Sequence, residues 1–400
     1  MPFDDFKSVL FPTYAKPDLD FVRGIGAELE TSDGRRYLDF IGGIAVNCLG
    51  HAHPALTAAL KGQADKLWHL SNMFAVPGQR ELAARYCQHS FADAAFFTNS
   101  GTEAVECALK AARRFHHVNG EPQRTEIISF EGAFHGRSYG AMNAAANPRY
   151  LEGFGPKLPG YVQCPFGDLS TLEQLIQQQT AAVIVEPIQG EGGVRPLDAS
   201  TLTELRSLCS AKGVLLIYDE VQCGAGRTGK LFAHQWADHT EPDIMALAKG
   251  IGGGFPFGLC LARQDVADSM TFGTHGTTYG GNALAVAVGH AVLDVLLEPG
   301  FLEHVQTLHS HFVDSLRRLG DAVPDIELEV RGRGLLIGVK STLPNTDIRN
   351  AARDRELLVG VAGDNVVRMA PPLNISTRDI DRAVTILHRA FLDVRQGISE

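Results

Sequence analysis

The 400-residue sequence predicts an α/β protein with a mainly parallel central sheet in a large domain, followed by a smaller α+β domain. Between about Phe96 and Leu261, short apolar runs alternate with helical patterns, which is typical of βαβ units around buried parallel strands. The strand-like runs fall at residues 126–130, 181–185, 214–218, 244–248 and 257–262. The carboxyl third has a different pattern, in which helices are mixed with separate strands.

This carboxyl-terminal pattern opens with a predicted helix whose apolar residues share one face, namely Val305, Leu308, Phe312, Leu316 and Leu319. Strand-like segments follow at residues 326–330, 335–339 and 366–369. A last helix is predicted to begin after Ser376 as its N-cap, with Asp379 in the first turn. These elements predict a small α+β domain over residues 291–400.

Residues 1–45 contain the turn signal Ser32-Asp33-Gly34 but are too few to form a core of their own. We expect this segment to pack with the small domain. Residues 46–290 then form the large domain.

Charge and hydropathy exclude several classes of protein. The sequence has 36 Lys and Arg against 46 Asp and Glu, a net charge of −10, which disfavours nucleic-acid partners and anionic membrane surfaces. The sequence contains no run of membrane-spanning length, and its first ten residues carry two aspartates and no apolar run. We therefore expect no membrane partner, no export signal and a cytoplasmic protein.

The seven cysteines are scattered, odd in number and never in a C-x-x-C pair, which favours reduced thiols over disulfides or a zinc site. Four histidines, His51, His53, His116 and His117, have only a superficial metal-binding spacing, so no metal is expected. Cys223 is interpreted as a buried thiol rather than a reactive one.

A helix start at Asn99-Ser-Gly-Thr-Glu103 is the first candidate binding motif. Ser100 and Glu103 form a predicted capping box. The small residues Gly101 and Thr102 in the first turn leave backbone N–H groups and a hydroxyl free to bind a phosphate. An ordinary capped helix is the alternative interpretation.

Two carboxylates, Asp219 and Glu220, end a buried apolar run. Ligands of an open parallel sheet bind beyond the carboxyl ends of its strands, so Asp219 is placed to meet a cationic ligand group, although a loop or capping role remains open. The following Gly224-Ala-Gly226-Arg-Thr-Gly229 matches G-x-G-x-x-G, but no helix opens within it. A tight active-site loop is favoured over a nicotinamide dinucleotide site.

Lys249 stands at the end of another apolar run and before a group of glycines. Desolvation lowers the pKa of a buried lysine, and a neutral amine can form a Schiff base with an aldehyde. A lysine that extends to solvent is the alternative. Together, Lys249, Asp219 and the helix start supply what pyridoxal phosphate requires: a lysine for its aldehyde, a carboxylate for its ring nitrogen and a phosphate site.

Over nearly its whole length the sequence resembles the class III pyridoxal-phosphate aminotransferases, and within them the acetylornithine and ornithine aminotransferases. This resemblance implies the fold of the fold-type I pyridoxal-phosphate enzymes. Two departures are small: Thr277 stands where serine is frequent, and Ala283 where proline is. The matching motifs are Asp39-Phe-Ile-Gly-Gly-Ile-Ala-Val-Asn47, Gly50-His-Ala-His-Pro54, Asn99-Ser-Gly-Thr-Glu-Ala104, Phe134-His-Gly-Arg137, Glu186-Pro-Ile-Gln-Gly-Glu-Gly192, Asp219-Glu-Val-Gln222, Ala248-Lys-Gly250 and Gly276-Thr-Thr-Tyr-Gly-Gly-Asn282.

The resemblance implies that Lys249 bonds the cofactor and moves the proton, while Asp219 keeps the pyridine nitrogen protonated. It further implies a homodimer in which a threonine of the neighbouring subunit contacts the phosphate. The other implied cofactor contacts are Val221 and Phe134 on the two ring faces, Gln222 at the phenolic oxygen, Glu220 beside Asp219, and Gly101, Thr102 and Thr278 at the phosphate.

For substrates, the resemblance implies that Arg368 grips the α-carboxylate of glutamate and that Arg137 and Thr277 meet the far end of the amine donor. Glu191 is the implied switch, pairing with Arg368 when the donor presents no carboxylate there. The implied reaction moves the ω-amino group of N-acetylornithine to 2-oxoglutarate, a step of arginine biosynthesis. Ornithine, succinylornithine and 4-aminobutyrate are alternative donors, and a non-catalytic cofactor-binding protein is a remote alternative.

Overall fold

The computed structural model describes residues 10–15 and 19–398, so the residues before Leu10, which bear on the predicted absence of an export signal, lie outside it. The strands are β1 (Phe21–Ile25), β2 (Glu28–Thr31), β3 (Arg36–Asp39), β4 (Ala94–Thr98), β5 (Glu126–Phe130), β6 (Tyr161–Cys164), β7 (Thr180–Val185), β8 (Ile188–Gln189), β9 (Arg195–Pro196), β10 (Leu215–Asp219), β11 (Ile244–Leu247), β12 (Gly258–Ala262), β13 (Leu328–Arg333), β14 (Leu336–Ser341), β15 (Leu357–Leu358), β16 (Gly360–Ala362) and β17 (Val366–Met369). The helices are α1 (Gly42–Ala45), α2 (Pro54–Ala64), α3 (Gln79–Gln88), α4 (Gly101–Val118), α5 (Tyr139–Ala145), α6 (Pro148–Leu151), α7 (Leu169–Leu175), α8 (Ala199–Lys212), α9 (Gln264–Ser269), α10 (Ala283–Leu296), α11 (Phe301–Ala322), α12 (Asn345–Asp354) and α13 (Thr377–Ile398).

The central sheet has the strand order β4-β12-β11-β10-β7-β5-β6. Strand β12 is antiparallel to both of its neighbours, whereas the other pairs are parallel. The five predicted runs correspond to β5, β7, β10, β11 and β12, which confirms a mainly parallel α/β sheet. Strands β4 and β6 were not predicted: the apolar run of β4 covers only residues 94–97, and Gln163 interrupts the four-residue β6.

The parallel strands end at one edge of the sheet and therefore bring distant segments together. Asp219 ends β10 and Lys249 follows β11 by two residues, while Glu186 comes directly after β7. In the β10–β11 register, Asp219 pairs with Ala246. This edge therefore gathers side chains that lie tens of residues apart in sequence.

The carboxyl-terminal elements match their predictions closely. Helix α11 buries the predicted apolar face, and β17 spans residues 366–369 as expected. Ser376 and Asp379 bond reciprocally before α13, since the Ser376 hydroxyl accepts from the Asp379 amide and donates to its carboxylate. Strands β13, β14, β17 and β16 form a separate antiparallel sheet.

The division of the chain into an amino-terminal segment, a large domain and a small domain remains a prediction. Pairing between strands that are distant in sequence supports it. Strand β15 pairs in parallel with β3, which joins the amino-terminal strands to the carboxyl-terminal part of the chain. The proposed boundary at residue 290 falls inside α10, however. The backbone leaves the helical conformation only after Leu296, so the physical break between α10 and α11 lies at residues 297–300.

The glycine-containing segment 224–229 forms a buried turn, and no helix starts within it. Its Arg227 is fully buried and donates hydrogen bonds to the carbonyl oxygens of Leu335 and Pro371. These bonds tie the turn to the carboxyl-terminal part, which agrees with a tight loop rather than a dinucleotide site.

By length and apolarity, no single helix of residues 10–15 and 19–398 could cross a membrane. Helices α10 and α11 meet that test only as a pair bent by 68°.

Candidate active site

A cavity of about 350 Å³ opens at the carboxyl edge of the central sheet. Its wall is built from the segments that follow β4, β5, β7, β10 and β11. Predicted site residues in this wall are Gly101, Thr102, Phe134, Asp219, Val221, Gln222 and Lys249. The predicted helix start, strand-end carboxylate and lysine therefore face one space.

The amino-terminal end of α4 forms one wall of the cavity. Ser100 is the N-cap, and its hydroxyl accepts the Glu103 amide at 3.3 Å, while the Glu103 carboxylate accepts the Asn99 amide at 2.6 Å. A Cβ at Gly101 would lie 2.7 Å from a methyl carbon of Val221, so only glycine fits there without displacing Val221. The first-turn N–H groups of a helix have no intrahelical acceptor and attract anions.

Lys249 begins a one-turn 3-10 helix and has a φ of +48°, in the left-handed region that non-glycine residues seldom adopt. Burial lowers the pKa of its amine from 10.5 to about 8, although the nearby carboxylate of Glu191 opposes that shift. The neutral amine, which is the nucleophilic form, is therefore much more populated near neutral pH than for a solvated lysine.

Asp219 is held at the bottom of the cavity by two hydrogen bonds. Its Oδ2 accepts from His135 Nδ1 at 2.8 Å, and its Oδ1 accepts the Val221 amide at 3.0 Å. Burial lowers the pKa of His135, but the hydrogen bond and charge of Asp219 outweigh burial and raise it overall. The cavity therefore contains a fixed, buried carboxylate that can meet a cationic group of a ligand.

Glu186 supports this carboxylate from the end of β7. It accepts the amides of Phe134 at 3.1 Å and Gly190 at 3.3 Å, so it fixes the segment that carries both Phe134 and His135. Burial raises the pKa of Glu186, although the nearby His135 opposes this effect.

A hydrogen-bonded group of three side chains lies beside the cavity. Arg368 Nη1 donates to Glu191 Oε1 at 2.5 Å and to Gln222 Oε1 at 3.0 Å. Gln222 Nε2 completes the group with a 3.4 Å bond to Glu191. Arg368 is buried, whereas the side chain of Glu191 is 28% exposed, so Glu191 is the member with room to move.

Arg137 lies against two aromatic rings, one of which, Phe134, lines the cavity. Its guanidinium carbon is 3.7 Å from the centre of the Tyr150 ring and 5.6 Å from that of Phe134. The two rings themselves meet edge to face at 5.8 Å. Stacking on Tyr150 orients the planar guanidinium without using its hydrogen-bond donors.

Six predicted site residues do not line the cavity within one chain: Arg137, Glu191 and Arg368, described above, and Glu220, Thr277 and Thr278. The Glu220 carboxylate accepts the amides of Ala233 and His234 and bonds the His234 ring, because consecutive residues at a strand end point to opposite sides. Thr277 meets Asn99 Nδ2 at 3.5 Å, and Thr278 is exposed on the surface. The structure thus gives Glu220 a structural role in place of the predicted cofactor contact.

Sequence reasoning assigned no role to His135, Glu186 or Tyr150. His135 and Glu186 lie inside motifs that the resemblance already included, so those motifs were the available signal. No motif marks Tyr150, because its contact with Arg137 depends on how the segment around α6 folds back.

Among the described residues there is no group of three or more His, Cys, Asp or Glu side chains that is arranged to hold a metal. His51 bonds Asp39 at 2.7 Å and His116 bonds the Ala181 carbonyl at 2.9 Å, so both have structural partners. Cys223 is buried, as predicted, and burial raises the pKa of its thiol.

Comparison with known proteins identifies the family of this chain. The family model described as aminotransferase class-III matches residues 12–391. Acetylornithine aminotransferase of Mesorhizobium japonicum is 54% identical over 377 residues, covering 94% of each chain. Acetylornithine aminotransferase 2 of Caulobacter vibrioides is also 54% identical, over 94% of this chain and 93% of that protein.

Solved structures show the same fold. Ornithine aminotransferase from Toxoplasma gondii, in a structure with pyridoxal phosphate at partial occupancy, has a TM-score of 0.92 at 33% identity, covering 98% of this chain and 94% of that chain. N-acetylornithine aminotransferase from Stenotrophomonas maltophilia has a TM-score of 0.84 at 36% identity, covering 96% and 98% of the two chains. On its sequence and its fold, the chain belongs to the class III aminotransferases.

Proposed function

We propose that the chain is an acetylornithine aminotransferase and that it binds pyridoxal phosphate in the cavity described above. The residues present fit this cofactor: a buried lysine of lowered pKa and a fixed buried carboxylate share the cavity with a capped helix start. When bound, pyridoxal phosphate supplies an aldehyde that bonds the substrate amine and a ring that accepts negative charge from the adjoining carbon.

Each part of the cofactor has a protein group of matching chemistry. The amides at the start of α4 and the Thr102 hydroxyl would bind the phosphate, and Asp219 would hold a proton on the ring nitrogen. Val221 and Phe134 supply apolar surface for the ring. Gln222, which already bonds Arg368 and Glu191, would donate to the phenolic oxygen.

Lys249 has two tasks in this proposal. Its amine would hold the cofactor through the aldehyde, and when free it would accept a proton from the substrate carbon and deliver it to the cofactor carbon. A pKa of about 8 suits both tasks, because the amine then gains and loses a proton near neutral pH.

Attachment of the cofactor to the cofactor-free protein is expected to accelerate as pH rises, with a midpoint near 8. The neutral amine attacks the aldehyde, and below the lowered pKa of Lys249 the amine is mostly protonated. Stopped-flow absorbance of rebinding over a pH series measures this directly. A midpoint near 10.5, the ordinary lysine value, would show that burial has no effect on this amine.

The observation that carries the choice of substrate is the pair of arginines. Arg368 is neutralised by Glu191, so an amine donor with no carboxylate beside the cofactor meets no unpaired buried cation. Arg137, stacked on Tyr150, offers its planar donors to the carboxylate at the far end of the donor. When glutamate is bound, Glu191 would swing away and release Arg368 to its α-carboxylate.

Glu191→Ala is expected to shift preference from N-acetylornithine toward glutamate by about tenfold or more in kcat/KM, or about 1.4 kcal/mol. The change leaves Arg368 permanently available to α-carboxylates and removes its partner in the ω-amine half-reaction. Half-reaction kinetics with each donor measure the ratio, and Glu191→Gln, which keeps the hydrogen-bond acceptor, serves as the matched control. An unchanged ratio in the alanine variant would contradict the switch.

Tyr150→Ala is expected to raise KM for N-acetylornithine about two- to fivefold, because an exposed cation–π contact contributes roughly 0.5 to 1 kcal/mol. Pentylamine, which has no carboxylate for Arg137, should show no such change as donor. Tyr150→Phe keeps the ring and should behave like the native protein. Equal losses for both donors would mean that Tyr150 supports the fold rather than Arg137.

A homodimer is part of this proposal, supported by the apolar surface around Thr278. Two adjoining segments are joined by a hydrogen bond of 3.2 Å from Asn72 to the Gly280 carbonyl. The large apolar side chains exposed on these segments are Trp68, Met73, Phe74 and Tyr279. Burying such a patch against a second copy would remove it from water, and in the proposed homodimer each Thr278 would contact the phosphate bound by the other subunit. The seven unpaired thiols support a cytoplasmic location.

The test of the proposed function is a comparison of donors on the cofactor-loaded protein. N-acetylornithine, ornithine and 4-aminobutyrate are mixed separately with it, and the decrease in visible cofactor absorbance is followed. Fastest conversion by N-acetylornithine is expected. A faster reaction with ornithine or 4-aminobutyrate would overturn the substrate, and no reaction with any donor would overturn the activity.

A further inference from the structure

Another cavity, of about 200 Å³, lies within the large α/β part of the chain and shares no lining residue with the candidate active site. It is enclosed by β4, α4, β12, α9 and residues 270–275. Most of its wall is apolar, formed by alanines with Phe96, Val266 and Met270. Two cysteines and one histidine also line it, namely Cys107, Cys260 and His275.

The two thiols belong to neighbouring elements and line the same cavity. Cys107 lies in α4 and Cys260 in β12, and each is only 4% exposed. Phe96 pairs with Cys260 across the β4–β12 ladder. The His275 ring packs on Phe96, with ring centres 4.9 Å apart, so the imidazole lies in the same cavity wall as the two thiols.

Lys110 fixes which nitrogen of His275 carries the proton. Its ammonium group donates to His275 Nδ1 at 2.8 Å and to the Thr274 carbonyl at 3.3 Å. An ammonium group only donates hydrogen bonds, so Nδ1 must be the acceptor and the proton of the neutral ring lies on Nε2. His275 Nε2 can therefore act as a donor, and interaction with His275 lowers the pKa of the Cys107 thiol.

These contacts stabilise a thiolate at Cys107. Interaction with the Cys260 thiol lowers the Cys107 pKa most, burial opposes this, and His275 and the Lys110 charge lower it further. The same interaction raises the pKa of Cys260. Arg114, which also lies on α4, donates to the Ser269 carbonyl and Thr271 Oγ1 and does not line the cavity.

The other cysteines have no comparable environment. Burial raises the pKa of the thiol in all five of the other cysteines. These are Cys48, Cys87, Cys164, Cys209 and Cys223. Thiolate character and access for the reagent decide which cysteine reacts first. Cys107 combines the thiolate with a cavity that admits a small molecule.

We propose that Cys107 and Cys260 form an oxidisable thiol site that reacts with small hydroperoxides. The Cys107 thiolate attacks one oxygen of hydrogen peroxide, the O–O bond breaks, and the departing hydroxide takes a proton to become water. Cys107 then carries an S–OH group. The Cys260 sulfur attacks the Cys107 sulfur, the S–O bond breaks and, as the Cys260 proton departs, a second water forms with the disulfide.

The balance of this sequence is two thiols and one peroxide giving one disulfide and two waters, so peroxide is the only oxidant needed. The volume and apolar wall of the cavity limit the reagent to small molecules. The site is independent of the proposed transamination, because none of these side chains lines the active-site cavity.

The test uses the full-length, cofactor-loaded protein, treated with equimolar hydrogen peroxide at neutral pH and digested without reduction. Peptide mass spectrometry should find a Cys107–Cys260 disulfide that dithiothreitol reverses. It should form at least about tenfold faster than any oxidation of the more accessible Cys87. Prior oxidation of Cys87, or no oxidation of Cys107 in the native protein, would overturn the proposal.

Variants separate the roles within the pair. In Cys260→Ser the second step is impossible, so dimedone should trap Cys107 as its S–OH form. Lys110→Met should slow the reaction of Cys107 severalfold, whereas the matched control Cys87→Ser should leave it unchanged. Equal rates in the native protein and Lys110→Met would contradict the role of the Lys110–His275 contact, and a missing dimedone adduct would contradict the first step.

Discussion

Replacing Lys249 with alanine is expected to lower kcat for N-acetylornithine by about 10⁴-fold, because one side chain supplies both the amine that bonds the cofactor and the base that moves the proton. Lys249 is the lysine that lines the cavity together with Asp219. Steady-state kinetics measure the loss. The visible absorbance of the loaded protein should change as well, since the cofactor then stays as the free aldehyde.

Two controls make this result specific to Lys249. Lys212→Ala removes an exposed lysine that is paired only with Glu173, and should leave kcat unchanged. Adding methylamine to the Lys249→Ala protein should restore part of the proton transfer, because a small free amine can enter the space left behind. Retention of more than about a tenth of the native kcat would contradict the role of Lys249.

Replacing Asp219 with asparagine is expected to lower kcat by about a thousandfold. A carboxylate next to a cation contributes about 4 kcal/mol at an effective dielectric constant of 20, which corresponds to about three powers of ten in rate. Asparagine keeps the size of the side chain but loses the charge that holds a proton on the ring nitrogen. Single-turnover kinetics with N-acetylornithine measure the chemical step apart from product release.

The control for charge is Asp219→Glu, which keeps the carboxylate but shifts its position and should retain more activity than the asparagine variant. Cofactor binding, followed by fluorescence, should weaken less than kcat falls, because the phosphate contacts at α4 remain. A kcat for Asp219→Asn within tenfold of the native value would contradict the electrostatic role of Asp219.

Much of the fold could be predicted because buried parallel strands leave a local mark in the sequence. Strand β7 is apolar from Ala181 to Val185, and the apolar residues of the amphipathic helix α11 repeat with a helical period. The antiparallel direction of β12 could not be predicted, because a buried antiparallel strand in this sheet is as apolar as its parallel neighbours. The domain boundary predicted at residue 290 falls inside α10, whose residues stay mostly apolar as far as Leu296, so composition does not mark the end of that helix.

The site was predictable where chemistry depends on a single residue at the end of a strand. Lys249 and Asp219 stood out because a charged group that ends an apolar run is unusual. Contacts between residues that are distant in sequence could not be predicted in this way. His135 behind Asp219 and Tyr150 beside Arg137 depend on how loops fold, and Glu220 turns away because alternate residues point in opposite directions.

The most direct test of the account is to locate the cofactor on the protein. The loaded protein is reduced with sodium borohydride, which makes the bond between lysine and cofactor permanent, and is then digested and analysed by mass spectrometry. We predict a phosphopyridoxyl group on Lys249. Its attachment to another lysine, or the absence of any modified lysine after loading with pyridoxal phosphate, would contradict the role proposed for Lys249.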